Sequence, residues 1–244
     1  MTKPLNPPKN GASEELTAVA ERYDRRKHRV SVGLYDPLNT AVSMAHQERE
    51  RALIRWIRAS GLAPLRDKTL LEIGCGSGSN LLQMIQLGFR PANLVGNELL
   101  EERCVQARER LPAATRIAAG DAASLDLGPE RFDVVFQSTV FTSLLDPEFQ
   151  TRLARRIWTL TKPGGQVLWY DFTYDNPRNP DVRGVPLARI RALFPEGRVS
   201  ARRLTLAPPL ARFVTRIHPS LYTWANLLPF LRTHVLCWIR KPRE

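Results

Sequence analysis

The sequence predicts an α/β fold, a doubly wound sheet carrying helices on both faces in three layers. Three observations point there. Short apolar runs at 69–73, 93–97, 116–119, 132–136 and 166–172 alternate with helix-patterned stretches of about ten residues, as parallel strands joined by right-handed crossovers do. The first run passes directly into a glycine-rich turn, Gly74-Cys75-Gly76-Ser77-Gly78. An acid, Glu98, closes the second run about 20 residues further on.

Residues 1–12 are polar and proline-rich and are expected to be flexible. A short helix is expected at 14–21, then a basic cluster at 25–29 and a turn at Tyr35-Asp36-Pro37. Residues 47–60 place Leu53, Ile54, Trp56 and Ile57 on a helical period that ends near Gly61. After the first strand a helix at 80–87 stops at Gly88. The second strand leads to a helix at 100–111, halted by Pro112. Pro147 suits the first turn of a helix over 147–161. Beyond Phe172 come a polar loop (174–185), a short helix (187–194), a strand (199–206), an apolar and aromatic insertion (208–231) and a last strand (233–239). The organisation expected is an N-terminal extension and cap over 1–45 and one domain over 46–244, with 208–231 a helical insertion before the last strand.

The glycine turn departs from two known phosphate loops. Ser79 stands where the dinucleotide fingerprint needs its third glycine, and no Gly-Lys-Ser/Thr ending follows. With Glu98 after the second strand, Gly120-Asp121-Ala122 after the third and Lys162-Pro163-Gly164-Gly165 before the fifth, the stretch from Leu70 to Phe172 resembles the class I S-adenosylmethionine-dependent methyltransferases. The resemblance implies a Rossmann-like seven-stranded sheet, mostly parallel, whose last strand runs antiparallel between the fifth and the sixth. It implies S-adenosyl-L-methionine as cofactor and S-adenosyl-L-homocysteine as product. Gly74, Cys75, Gly76 and Gly78 are expected to line the methionine and ribose portions, with Glu72 near the cofactor's amino end. Glu98 is expected on the ribose hydroxyls, Asp121 and the Ala122 amide on the adenine, Leu99 as an apolar wall and Gln137 near the transferred methyl. The same Glu98 carboxylate would otherwise cap the following helix, and Asp121 would be a turn residue. Cys75 reads as a small buried filler, since its neighbours offer no base to stabilise a thiolate.

Charge separates the chain into parts. The net charge is +12, yet residues 69–172 hold 10 basic and 12 acidic side chains, whereas 173–244 hold 13 and 4. A basic flank attracts phosphates, acidic sugars, nucleic acid or an anionic membrane surface. No apolar run reaches about 18 residues, so no membrane-spanning helix is expected. No signal peptide is recognisable, and Cys75, Cys104 and Cys237 match no zinc spacing. A cytoplasmic protein, conceivably at the inner face of the membrane, is the expectation. No metal site is expected, because Asp171 and Asp175 alone do not supply enough convergent oxygens.

Methyl transfer to a hydroxyl needs a group that takes up a proton. Asp171, at the end of the fifth strand, is the leading candidate, and His46 the second. Tyr35, Arg178 and Arg183 are candidate substrate contacts, arginine forks being suited to phosphates and acidic sugars. The phrases Trp169–Phe172, Asn176–Gly184, Thr205–Pro209 and Leu231–His234 look like bacterial methyltransferases of surface-polysaccharide and related sugar-modifying pathways. That resemblance implies O-methylation of a sugar hydroxyl, on a glycan that is phosphate-bearing or lipid-linked. An RNA methyltransferase, a small-molecule methyltransferase and a non-catalytic cofactor-binding subunit stay open. So does the role of 208–231 as lid, dimer contact or membrane contact.

Overall fold

A computed structural model describes residues 11–29, 36–177 and 179–243. The expected flexible start therefore lies outside the described residues except for Gly11 and Ala12, which open a helix. Tyr35 and Arg178 also lie outside them.

Seven strands form one sheet: β1 (Leu70–Ile73), β2 (Leu94–Glu98), β3 (Arg116–Ala119), β4 (Phe132–Ser138), β5 (Thr161–Phe172), β6 (Arg198–Leu206) and β7 (Arg232–Arg240). Their order is β3-β2-β1-β4-β5-β7-β6. Strands β1 to β5 are parallel, and β7 runs antiparallel to both β5 and β6. This is the Rossmann-like sheet anticipated from the sequence, with the last strand slotted between the fifth and sixth.

The helices are α1 (Gly11–Arg29), α2 (Thr40–Ser60), α3 (Ser79–Gln86), α4 (Glu101–Arg110), α5 (Pro147–Leu160), α6 (Leu187–Leu193), α7 (Pro208–Ile217) and α8 (Pro219–Ala225). Helix α1 is longer than the 14–21 helix expected and absorbs the basic cluster. Helix α2 begins at Thr40 because Asn39 caps it, its side chain accepting from Ala41 N at 3.0 Å. It crosses the expected 45/46 boundary and ends at Gly61 in the left-handed region.

Alternation along the central strands builds two cores. Leu71, Ile73, Val135, Val167 and Trp169 face one side, where Leu153, Ile157 and Ile190 of α5 and α6 cover them. Leu70, Val134, Phe136 and Leu168 face the other, against Trp56 of α2 and Leu81 and Met84 of α3. Strands buried on both faces read as continuous apolar runs, which is why they were easy to find in the sequence. Trp56 Nε1 donates to Gln166 Oε1 at 2.9 Å and fixes α2 on β5. The chain winds outward from β1 in one direction and resumes at β4 in the other. The crevice at the carboxyl ends of β1 and β4 is thus the switch point of the sheet, where such folds bind ligands.

Candidate functional site

The glycine turn after β1 opens into that crevice. Gly74 has φ 64° and Gly76 φ 55°, in the left-handed region that side chains with a Cβ avoid. The two differ in what surrounds them. A Cβ on Gly74 would lie 2.6 Å from Val140 Cγ2, whereas a Cβ on Gly76 would meet nothing within 4 Å. Gly74 is therefore required by packing, and Gly76 leaves backbone open to a ligand. Gly78, at φ 83°, packs against Leu111 and precedes α3.

Glu98 reaches back across this turn. One carboxylate oxygen accepts from Gly76 N at 2.8 Å, and the other accepts from Leu99 N and Leu100 N at 2.9 and 3.0 Å. It thus holds the two residues that lead into α4 and lies against the glycine backbone. Asp121 forms the turn after β3, with Oδ1 accepting from Ala123 N at 2.9 Å. Gly74, Glu98, Leu99, Asp121 and Ala122 all line one cavity of about 70 Å³.

The outer wall of the cavity belongs to α1, through Leu16, Val19 and Tyr23. The helix is pinned by Arg22, whose guanidinium meets Glu15 Oε1 at 2.6 Å and donates to Ser143 O at 3.2 Å. Glu15 in turn accepts from Leu145 N at 2.8 Å. Arg103 of α4 sits 4.5 Å over the Tyr23 ring. Small-molecule pockets usually exceed roughly 300 Å³, so this cavity is small for a ligand of nucleoside size.

On the other side of the glycine turn is a cluster of buried polar groups. Glu72 is fully buried; its Oε1 accepts from Asn80 Nδ2 at 2.6 Å. Asn80 Oδ1 accepts from Arg49 Nη2 at 2.8 Å. Glu72 Oε2 and Arg49 Nε are buried without a hydrogen-bond partner among the described residues. Two orphaned polar atoms in one cluster beside the glycine turn are unusual, because buried polar groups are nearly always paired. Burial pushes the Glu72 carboxyl up to about 8. The set suits an amino-acid end group: a guanidinium for a carboxylate, and a carboxyl that the charge of an ammonium would ionise. Together with the open side of Gly76 and the Glu98 carboxylate, these residues fit the expected cofactor.

Arg49 and Asn80 were not legible as site residues, nor were the α1 wall residues. Asn80 stands one residue past the helix start, where polar side chains are common. Arg49 arrives through the packing of α2, which carries no local sequence signal. The spacing of Leu16, Val19 and Tyr23 on one helix face was the available cue for α1.

The remaining candidates occupy distinct positions. Cys75 is buried, with its thiol pushed up by burial and the nearby Glu72, which leaves it inert. Gln137 Oε1 accepts from Val140 N at 3.1 Å, holding the loop after β4. Asp171 is fully buried and does not line the cavity. Its carboxylate accepts from Thr142 N at 3.3 Å and Phe172 N at 3.2 Å, and burial pushes it up to about 7. It ties the 139–145 loop to β5. Arg183 is exposed, and its backbone N donates to Thr142 O at 2.9 Å. His46 is exposed on α2; its imidazole lies below its ordinary pKa through partial desolvation, then through the Arg49 charge. His234, at the start of β7, stacks on Tyr170 at 5.1 Å and is pushed down to about 4 by burial and then by Arg49. Thr139 and Thr205, at the ends of β4 and β6, take left-handed φ values of 58° and 65° along this same edge. Among the described residues no cluster of His, Cys, Asp and Glu is suited to a metal ion.

Residues 70–165 match a family model described as a methyltransferase domain. The ubiquinone biosynthesis O-methyltransferase of Caulobacter vibrioides is 31% identical over 180 residues, which is 72% of this chain. The chain spans 65% of the length of that relative. Among solved structures, the 1,6-didemethyltoxoflavin-N1-methyltransferase of Burkholderia thailandensis superposes with a TM-score of 0.65 at 16% identity, covering 98% of this chain and 94% of its own. A putative sarcosine dimethylglycine methyltransferase from Galdieria sulphuraria gives 0.61 at 13% identity, covering 83% and 88%. At these identities the structural matches speak for the fold.

Proposed function

We infer from the methyltransferase domain at residues 70–165 that this protein is an S-adenosylmethionine-dependent methyltransferase acting on a hydroxyl oxygen. The observation that carries the reading is the pairing of Glu98 at the Gly76 amide with the orphaned Glu72 and Arg49 atoms on the other side of the turn. S-adenosylmethionine is the methyl donor, and when bound it supplies a methyl already activated on a sulfonium. Glu98 holds the ribose hydroxyls, Asp121 and Ala122 the adenine, and Leu99 one face of the ring. Arg49 and Glu72 hold the carboxylate and ammonium of the methionine end.

The chain's further contribution is positioning, water exclusion and proton uptake. Alignment of reactants in such a site supplies up to roughly 7–11 kcal/mol. Helix α1 screens the adenine side from water. His46 and His234 both lie close enough to Arg49 for its charge to lower their pKa values. Each is neutral at pH 7 and open to a proton from the acceptor. Asp171, held by Thr142 and Phe172, serves as a positioning residue for the loop after β4.

A sugar hydroxyl on a lipid-linked glycan is the acceptor that the tail phrases favour. The second reading is a phenolic hydroxyl on a quinone precursor, supported by the similarity to the Caulobacter ubiquinone enzyme. Labelled-methyl transfer run side by side on bacterial glycan extracts, on prenylated catechols and on bulk RNA ranks them. Label in glycan or catechol supports a hydroxyl acceptor; label in RNA bases alone refutes it. Absence of heat and of thermal shift with both S-adenosylmethionine and S-adenosylhomocysteine defeats the cofactor assignment itself.

A further inference from the structure

The segment between β6 and β7 is built as two layers. Its inner side is anchored: Ala211 and Tyr222 are buried with Leu206 and Ala41. Tyr222 donates to Glu48 Oε2 at 3.0 Å, and the same oxygen accepts from Thr205 N at 3.1 Å. Its outer side shows large apolar groups to water. Phe213 is 63% exposed, Trp224 69% and Phe230 70%, with Ile217, Leu227 and Leu228 beside them in sequence and also exposed. Soluble surfaces seldom gather so many large apolar side chains on one short segment without a partner for them.

We propose that this outer face docks on an anionic lipid bilayer. The charge within its own stretch of sequence is of one sign. From Gly197 to Arg243 the chain has nine Lys or Arg and no Asp or Glu. Arg212 and Arg216 follow the flank of α7 one turn apart and line a groove with Asn39, Thr40 and Thr215. Leu38, 91% exposed, lies at its edge. A helix with aromatic and aliphatic groups on one side and arginines flanking them suits the boundary between acyl chains and headgroups. The apolar groups insert while the arginines meet lipid phosphates. A second copy of this chain is a poor occupant, because it would bring an equally basic face against this one.

Topology gives the docking a direction. Leu206 pairs with Arg232, and Phe172 of β5 pairs with His234 of β7. The insertion therefore leaves the sheet at the same edge as the glycine turn. Bound to a bilayer, the protein would turn its carboxyl edge toward the membrane, where a lipid-borne acceptor is displayed. The docking itself does not depend on the methyl-transfer reading.

The test is co-sedimentation of the full chain with vesicles of phosphatidylcholine alone and of phosphatidylcholine with phosphatidylglycerol at a 3:1 ratio. Binding to the anionic vesicles at least tenfold above the neutral ones, falling in high salt, is expected. R212Q and R216Q should each weaken it about fivefold, the effect of roughly one surface arginine. The triple variant F213A/W224A/F230A should lose it, with thermal stability and S-adenosylhomocysteine binding preserved because these side chains are exposed. Brominated lipid should quench the wild type's tryptophan fluorescence more than that of W224F. Equal binding to both vesicle types, or wild-type binding by the triple variant, overturns the proposal. So does a wild-type dimer in sedimentation velocity that the triple variant abolishes. Loss of cofactor binding with vesicle binding intact would strike only the enzymatic reading.

Discussion

At the scale of single residues, Gly74 and Gly76 make opposite demands although they share a backbone region. Ala at position 74 adds overpacking against Val140 to a strained φ, and should cost about 2–4 kcal/mol. Gly76→Ala carries only the backbone strain of about 1–2 kcal/mol, while its methyl enters the ligand's space. Calorimetry paired with thermal melts should therefore find G76A folded but unable to bind S-adenosylhomocysteine, and G74A unstable. Glu98→Ala removes bonds to a charged group worth about 1.5–3 kcal/mol, so affinity should fall about 10- to 100-fold. A modest loss of stability, about 1 kcal/mol, should accompany it because the same carboxylate accepts from the Leu99 and Leu100 amides ahead of α4. These residues were legible because strand, turn and acid lie close in sequence. Arg49 and Asn80 were not, since their meeting with Glu72 depends on how α2 packs against the sheet.

At the scale of elements, α1 decides access to the cavity. It is held by the buried Arg22–Glu15 pair, by Arg25 on Asp181 at 2.8 Å, by Arg103 over Tyr23 and by the packing of Leu16 and Val19, rather than by the sheet ladder. Arg22→Ala leaves the Glu15 carboxylate buried with the Leu145 amide as partner, so the helix should detach locally. Hydrogen exchange should accelerate across Gly11–Arg29 while the strands keep their protection, and release of S-adenosylhomocysteine should quicken about tenfold. Unchanged exchange in that segment would show that α1 is held by something else. The sequence announced a helix here but not its length or its task. Its apolar stripe is short, and the surface it covers is assembled from the loops after four strands. The largest differences in bounds elsewhere are at β5, which starts at Thr161 and takes in the Lys162–Gly165 turn expected before it, and at α2, whose start is set by the Asn39 cap.

At the scale of the whole molecule, two buried carboxyls set a pH dependence. Glu72 at about 8 and Asp171 at about 7 stay protonated in the folded chain over a range where the unfolded chain has already ionised. The folded state then binds more protons, so stability is full below about pH 4 and declines as pH rises through 7 and 8. Each group contributes at most about 1.4 kcal/mol per pH unit. Melting temperatures recorded from pH 5 to 9 should fall, and the fall should be shallower in E72Q and in D171N. The central strands were readable because they are apolar on both faces, and their order followed from the resemblance. The basic tail was readable as charge but not as shape, since helix packing decides which arginines end up beside the exposed apolar groups. The hydrogen bond from Ala207 N to Leu231 O closes the base of the excursion on neighbouring strands. Its two ends stand side by side, so a tight turn could replace it without unzipping the hairpin. Such an appendage can be exchanged wholesale, and descendants of this chain would be free to acquire new acceptors while inheriting an unaltered donor half.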